Sequence, residues 1–428
     1  MNRLTLLWPD TFGVVPSETA GRFTRALRRT FLSLRNRNFL LFFIGQSISN
    51  TGNWLTNVAL TLLVLRITGS GVAVGFLAAC QYGPILVLSI WGGAIADRSD
   101  KRRLLFVTQG LEMLQSAGLA VVAFMPHPPL AWLYGLAVAG GLLLSLDNPL
   151  RRSFVTEMVR REDIPNAVVL YSMIVNLSRV FGPALAGLLI ATLGYGWCFS
   201  VDAATYLAVL LCLALMRTSE LHRVPAAERT RGEIRAAWRY LRSLPVLWTT
   251  FAMLAGIGTL AYNFSVTLPL FVKQALHGSD SQFTTIYAVL SVGGLVCGLI
   301  VAHRGRVTLT HTVRGSAIFG VVMLGLSAAP SVAVALPIAF LLGGASILYT
   351  TATTAIVQVT AKQEMHGRLL ALQAVLLVGS SAFGGPISGW VADAFGARSL
   401  IVIGGIVCLV ASGFGALEER RIAAHQPA

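Results

Sequence analysis

Long apolar runs separated by short polar turns recur along the whole chain, and they constrain its fold more than any other feature. A bilayer core requires about 20 apolar residues per helix, and a backbone inside it must satisfy its own hydrogen bonds. Only 12% of the residues are charged, against about 25% in a soluble domain. The pattern predicts an all-α polytopic membrane protein with twelve transmembrane helices. Its spans are predicted near 39–65, 71–96, 104–125, 130–154, 164–192, 196–216, 245–272, 281–302, 311–329, 332–358, 366–392 and 398–416.

The 33 basic residues are distributed unequally between the two sides of the predicted bilayer. Nearly all fall in the tails and the even-numbered gaps between spans, whereas the opposite side has only Arg66, Lys273 and Arg398. Cytoplasmic segments of membrane proteins carry such an excess. Both termini are therefore predicted to be cytoplasmic, in a multi-pass protein of the inner (plasma) membrane. The net charge of +15 then reflects orientation in the lipid bilayer, and no nucleic-acid partner is predicted.

A polar stretch divides the chain into two halves of six predicted spans, and elements recur between the halves. The sequence around Gly182-Pro183 in the fifth span is repeated around Gly385-Pro386 in the eleventh. Repeated halves are typical of transporters. A basic amphipathic helix is predicted at 21–38, and a second surface helix is predicted at the end of the polar stretch, near 244. The first segment could instead be an unstructured basic tail, and the second an unanchored linker. The predicted domains are a cytoplasmic tail with a basic amphipathic helix at 1–37, helical bundles at 38–216 and 245–416, a cytoplasmic loop at 217–244 and a cytoplasmic tail at 417–428.

The sequence contains no catalytic constellation. Its five cysteines fall inside apolar runs without paired spacing, so neither a disulfide framework nor a metal site is predicted. It also has no Walker lysine motif and no nucleophile elbow. We therefore predict that the protein is not an enzyme, uses no cofactor or metal, and draws its energy from the proton gradient.

Several motifs resemble those of the major facilitator superfamily. The segment GGAIADRSDKRR at 92–103 is similar to the superfamily's signature turn between its second and third helices. The segments GQSISNTGNW, DNPLRRSFVTEMV, NLSRVFGPALAG and FGGPISGWVADAFG resemble the bacterial branch of enterobactin exporters and macrolide or multidrug efflux proteins. The resemblance covers about residues 38–416. It implies two pseudo-symmetric six-helix bundles, which is the major facilitator fold.

The turn around Asp97 is a candidate conformational latch. An aspartate at a helix end could accept hydrogen bonds from the N-terminus of a neighbouring helix, where the helix dipole favours negative charge. The resemblance implies that the neighbour is the eleventh span and that the latch breaks when the protein opens inward. Ordinary topology-setting charge would explain the arginines but not Asp97. The resemblance assigns the latch to Gly93, Asp97, Arg98, Lys101 and Arg102, with Asp147 completing the charge cluster.

The fifth predicted span contains the Gly-Pro element. Proline removes a backbone donor and kinks a helix. The residues Ser178, Gly182, Pro183 and Gly187 resemble the antiporter signature, which in the superfamily is associated with export. A packing kink without directional meaning is the alternative.

Glu112, Arg179 and Asp202 are charged side chains inside predicted spans, where charge is costly and usually functional. Arg179 is near the middle of the fifth span, Glu112 lies in the third and Asp202 in the sixth. A carboxylate that faces a cavity could carry a proton, because desolvation disfavours its charged form. Either acid is a candidate for proton coupling. Alternatively, Arg179 forms a structural pair with one of them.

The first span carries a stripe of amides that recur every three or four residues. Amides in contact with lipid would be unsatisfied, so we expect them to face a central cavity or another helix. Neutral amides with aromatic residues favour a bulky, largely apolar solute over a small anion. The candidate cavity residues are Gln46, Asn50, Asn53, Asn57, Asn263, Tyr349 and Gln358.

Together these features predict a monomeric secondary transporter whose partner is a small molecule. We expect it to export a hydrophobic drug, siderophore or related metabolite by proton antiport with alternating access. An uptake symporter, a carrier of lipid-like solutes, and a non-transporting membrane receptor with the same fold are the alternatives.

Overall fold

Helices make up nearly all of the chain that the computed structural model describes, which comprises residues 31–222, 233–301 and 308–424. These ranges contain no strand. The amphipathic helix predicted at 21–38 lies largely outside them. In chain order the helices are α1 (Arg37–Thr68), α2 (Gly71–Arg98), α3 (Lys101–Ala123), α4 (Leu130–Met158), α5 (Ile164–Thr192), α6 (Tyr195–Ala214), α7 (Glu233–Ser243), α8 (Pro245–Ala275), α9 (Asp280–Val301), α10 (Leu309–Ser327), α11 (Val332–Thr360), α12 (Gln363–Phe395) and α13 (Ala397–Ala424).

Within the described ranges, eleven of these helices are long and apolar enough to cross a membrane. The first long helix, α1, has 32 residues but is not among the eleven. Its side-chain amides lower its mean hydropathy, although its length suffices. The protein is therefore an all-α, multi-pass membrane protein, while the exact number of twelve spans remains a prediction.

Several helices extend beyond their predicted ends. α4 continues to Met158 rather than ending near 154, and α13 continues to Ala424, so residues 417–424 are helical. Glu418 pairs with Arg421 one turn later at 2.8 Å. Hydropathy identifies only the apolar part of a helix, because its polar ends project into water.

The two bundles, α1–α6 and α8–α13, contact each other through glycines. A Cβ atom at Gly75 of α2 would lie under 3.0 Å from backbone atoms of Gly385 in α12. Likewise, a Cβ atom at Gly187 of α5 would overlap Thr284 of α9. Small residues allow such close approach of helices in membranes. These contacts lie at the face of the protein that also carries the turns after α1, α5, α8 and α12, and we call it the closed face. The opposite face, which carries both described chain ends, is called the terminal face.

Two helices of the second bundle are irregular. α8 is interrupted at 261–263 and ends in a π-helical turn, Phe271–Ala275, while α12 contains a π-helical turn at Val375–Gly379. Such turns often occur at functional sites. At the interruption, a Cβ atom on Gly384 of α12 would overlap the carbonyl oxygen of Thr259. The two irregular helices are therefore in close contact.

The short helix α7 is anchored to the second bundle. Its Ala237 and Leu241 are buried, and Trp238 packs edge-to-face on Trp248 of α8. The hydroxyl of Tyr240 accepts a hydrogen bond from the backbone N–H of Lys362 at 3.0 Å. The predicted surface helix is thus present from Glu233 onward, and it is not an unanchored linker.

Candidate functional site

The carboxylate of Asp393, near the end of α12, caps the first turn of α2 across the closed face. It accepts hydrogen bonds from the Ser70 hydroxyl at 2.7 Å and from the backbone N–H groups of Gly71 at 2.6 Å and Val72 at 3.0 Å. A helix N-terminus leaves such N–H groups without intrahelical partners and favours negative charge. The contact joins the two bundles, because α2 belongs to the first and α12 to the second.

A second set of polar contacts joins the bundles beside a cavity of about 340 Å³ on the same face. Tyr195 of α6 donates a hydrogen bond to Asp280 of α9 at 2.5 Å, and Asp280 also pairs with Lys273 at 2.9 Å. The amide of Gln274 donates to the carbonyl oxygen of Gly69 at 3.2 Å. Together with the glycine contacts, these interactions close this end of the space between the bundles.

A cluster of buried charges lies inside the first bundle. Arg151 of α4 is 2% exposed and pairs with Glu112 at 3.2 Å and with Asp147 one turn earlier on the same helix. The Gln109 amide donates to both acids, at 2.9 Å and 2.8 Å, and the Thr108 hydroxyl donates to Asp147 at 3.0 Å. One guanidinium therefore serves two carboxylates, which leaves the cluster with one excess negative charge when both acids are ionised.

Asp202 of α6 is also buried, but its neighbours are hydroxyl groups. Thr56 of α1 and Ser116 of α3 each donate to Asp202 Oδ2 at 2.7 Å. Thr205 donates to Oδ1 at 3.4 Å. Asp202 thereby connects three helices of the first bundle without an ion pair in the described chain.

The predicted latch residues are not all brought together. Lys101 is buried and pairs with Glu157 at 2.5 Å, while Arg102 donates to the carbonyl oxygen of Leu213 at 2.9 Å. Asp147 contacts neither, because it faces Arg151 deeper in the bundle; the expectation that it joins their charge cluster is wrong. The side chains of Asp97 and Arg98, and the surroundings of Gly93, lie outside the described structure.

The Gly-Pro element of α5 lies where that helix meets its neighbours. Ser178 is buried and donates to the carbonyl oxygen of Ile174 at 2.8 Å. A Cβ atom on Gly182 would overlap Trp54 of α1, and Pro183 beside it is buried. Gly187 meets α9 of the other bundle, as described above. The element therefore packs α5 closely against both bundles, and its directional meaning remains a prediction.

Arg179 lies near the middle of α5 and is exposed, with its guanidinium carbon 5.4 Å from the centre of the Trp54 ring. It forms no ion pair with a described acid, so the alternative of a structural pair with Glu112 or Asp202 is wrong; Glu112 pairs with Arg151 instead. Tyr82 of α2 and Tyr287 of α9 are close enough to interact with its charge. Because these neighbours come from both bundles, Arg179 faces the space between them.

The predicted cavity residues separate into two groups. Gln46, Asn263 and Tyr349 are at most 1% exposed, so they pack between helices and do not line an open cavity in this structure. The Asn263 amide bonds within α8, to the carbonyl oxygen of Thr259 at 2.5 Å. Of the remaining residues, Asn50, Asn53 and Asn57 are half-buried and Gln358 is exposed. Asn50 accepts a hydrogen bond from Arg151 at 3.4 Å, and Asn57 lies next to Tyr82.

Sequence reasoning missed two residues of this arrangement. Arg151 is not among the predicted site residues, although its spacing of four residues from Asp147 places the two on one helix face. Asp393 was not singled out, although Gly389-x-x-Ala392-Asp393 repeats the spacing of Gly93-x-x-Ala96-Asp97. A search of the whole chain for this spacing would have found it.

Two six-helix bundles that meet through glycine contacts are the architecture of a transporter of the major facilitator superfamily. The chain belongs to the family described as transmembrane secretion effector, whose sequence profile matches residues 29–422.

Individual relatives agree with this assignment. The chain is 27% identical to the staphyloferrin A transporter of Staphylococcus aureus (strain NCTC 8325 / PS 47) over 67% of this chain and 72% of that protein. It is 26% identical to the enterobactin exporter EntS of Salmonella typhi over 87% of this chain and 92% of that protein. These relatives are transporters of small molecules and not enzymes.

Solved structures share the fold. A bacterial homologue of the human lysosomal transporter Spinster, in an inward-facing and unoccupied conformation, superposes with a TM-score of 0.72 at 15% identity, covering 91% of this chain and 98% of that one. The POT family transporter PepTSo superposes with a TM-score of 0.73 at 12% identity, covering 91% and 99%.

Proposed function

We propose that the protein exports a siderophore, hydrophobic drug or related metabolite across the inner membrane by alternating access. The observation that carries the proposal is the exposed polar stripe of Ser172, Asn176 and Arg179 on α5. This stripe lies between the terminal face and the closed face. A solute entering between the bundles from the terminal face would meet this stripe and stop at the closed face. Similarity to enterobactin exporters over both bundles supports a solute of this class.

Orientation and direction belong to the same proposal. With both termini cytoplasmic, as the basic residues predict, the terminal face opens to the cytoplasm and the described state is ready to load solute for export. We expect a monomer to suffice, because the candidate site lies between two bundles of one chain.

The proposed energy source is proton antiport through the buried acids. Glu112 is the better candidate, because it shares Arg151 with Asp147 and its protonation would remove the cluster's excess negative charge. Asp202 is the second candidate, and its hydroxyl neighbours can serve either protonation state.

We therefore predict that Glu112→Gln lowers transport driven by a pH gradient at least tenfold, because glutamine cannot release a proton. Counterflow exchange of substrate without a gradient should remain within about twofold of wild type. Both rates can be measured in proteoliposomes, with Glu162→Gln at the exposed terminal face as the matched control. Undiminished gradient-driven transport by Glu112→Gln would show that Glu112 does not carry the proton and would leave Asp202 as the remaining candidate.

The proposed terminal-face latch rests on Asp97 and its resemblance to the superfamily's signature turn. We predict that Asp97→Asn lowers transport at least fivefold while leaving membrane insertion intact, because the amide lacks the negative charge that a helix N-terminus stabilises. Asp163→Asn, on the same face and without a side-chain cap, serves as the control. Normal transport by well-inserted Asp97→Asn protein would contradict the assignment.

The function itself is tested by retention of fluorescent drugs and siderophores in cells that lack or overproduce the protein, with and without a protonophore. Lower retention that the protonophore abolishes is expected. Higher retention would indicate uptake and overturn the proposed direction. Retention that is unchanged for every compound would favour a receptor or a narrower substrate range.

A further inference from the structure

The guanidinium of Arg179 has no protein counter-charge in the described chain. The acids nearest to the centre of the first bundle are already engaged: Glu112 and Asp147 pair with Arg151, and Asp202 accepts hydrogen bonds from hydroxyl groups. A charged side chain at the centre of a membrane-spanning helix is costly, and it is usually retained for function. Arg179 is therefore an exposed cation in the space between the bundles, without an ion pair to a described acid.

The surroundings of Arg179 are aromatic. Its guanidinium stacks on Trp54, and Trp54 in turn contacts Tyr287 of the second bundle with 6.2 Å between ring centres. Tyr82 completes the group, with Asn57 and Ser265 as polar neighbours. The absence of a side chain at Gly182 allows α5 to lie close against Trp54, which places Arg179 within reach of the indole ring.

This combination recognises one class of ligand. A guanidinium binds a carboxylate through two parallel hydrogen bonds, and aromatic side chains accommodate flat rings by stacking. The hydroxyl of Ser172 and one N–H of the Asn176 amide already donate to backbone carbonyls of their own helix, so Arg179 supplies most of the free donors of the stripe.

We propose that Arg179 binds an anionic group of the transported solute, and that the solute carries this group on an aromatic ring. The inference deepens the proposed function, on which it rests for the location of the transport site. It differs from the expectation, drawn from neutral amides with aromatic residues, that a bulky and largely apolar solute fits best.

The test uses two aromatic probes of the same shape, 1-naphthoate and its uncharged amide, 1-naphthamide. Binding to the full-length protein in lipid nanodiscs is measured by equilibrium dialysis, with empty nanodiscs subtracted. We expect the wild-type protein to bind naphthoate at least tenfold more tightly than naphthamide. Arg179→Gln should lose this preference without changing naphthamide binding, and Arg179→Lys should keep part of it, because it retains the charge but not the planar fork.

Arg103→Gln, which removes an exposed arginine at the terminal face, is the matched control and should behave as wild type. Equal binding of the two probes by the wild-type protein, binding of neither, or a preserved preference in Arg179→Gln would each overturn the proposal. If Arg179→Gln fails to fold, the comparison of naphthoate and naphthamide binding to the wild-type protein still tests the proposal. Binding of the probes does not depend on the direction of transport. If the retention assay shows export but the protein binds naphthoate and naphthamide equally, the role of Arg179 is refuted and the proposed function stands.

Discussion

Replacement of Arg151 by methionine is expected to lower the free energy of unfolding by about 3–5 kcal/mol, the typical cost of removing one partner from a buried ion pair. Glu112 and Asp147 would be left in the interior of the first bundle without their shared counter-charge. Unfolding of the purified protein in detergent micelles, followed by loss of helical circular dichroism in denaturant, measures the effect.

Two comparisons make this result specific. Arg152→Met, at the adjacent and exposed position, should change the stability by less than about 0.5 kcal/mol. Adding Glu112→Gln and Asp147→Asn to Arg151→Met should restore at least half of the loss, because the uncompensated charges are then removed. An Arg151→Met protein as stable as wild type would mean that the two acids are not ionised in the folded bundle.

Replacement of Gly75 by valine is expected to lower transport more than tenfold by keeping the closed face from forming. The new Cβ atom would lie under 3.0 Å from backbone atoms of Gly385 and Pro386, and a backbone cannot move aside as a flexible side chain can. Gly83→Val is the control, because Gly83 lies on the same helix and has no neighbour within 4 Å of the corresponding position.

The conformational cause can be measured directly. In a protein without its native cysteines, Leu62→Cys places a thiol at a position that is 1% exposed and borders the cavity of the closed face. A membrane-impermeant thiol reagent should label it faster when Gly75→Val is added, and at an unchanged rate with Gly83→Val. Unchanged labelling with lost transport would show that Gly75→Val acts by another route.

The fold was largely predictable because hydropathy reports which residues a bilayer can accept. Even so, Arg151 lies only three residues from the predicted end of α4 near 154, whereas the helix continues to Met158 and buries Arg151. Apolar length alone cannot distinguish a topology-setting arginine from one paired within its own helix. The spacing between Asp147 and Arg151 carried that information.

The candidate site was less predictable, since periodicity gives the face of a helix but not the neighbour of that face. Gln46 and Asn50 belong to one stripe, yet Gln46 is buried between helices while Asn50 reaches Arg151. Tyr349 is also a predicted cavity residue, yet it is buried in the second bundle. Arg179 shows the opposite case: its mid-span position predicts proton coupling, and only its neighbours from both bundles support the proposed contact with solute.

The cap that Asp393 places on α2 also sets an energy scale for the transport cycle. A carboxylate at a helix N-terminus contributes about 0.3–2 kcal/mol, with the lower part of that range expected for an exposed group such as this one. Moving one elementary charge through a membrane potential of 100 mV releases about 2.3 kcal/mol. The energy of one ion moving through such a potential therefore exceeds that of this single contact, so the Asp393 cap by itself is weak enough to be broken in each cycle of the proposed mechanism.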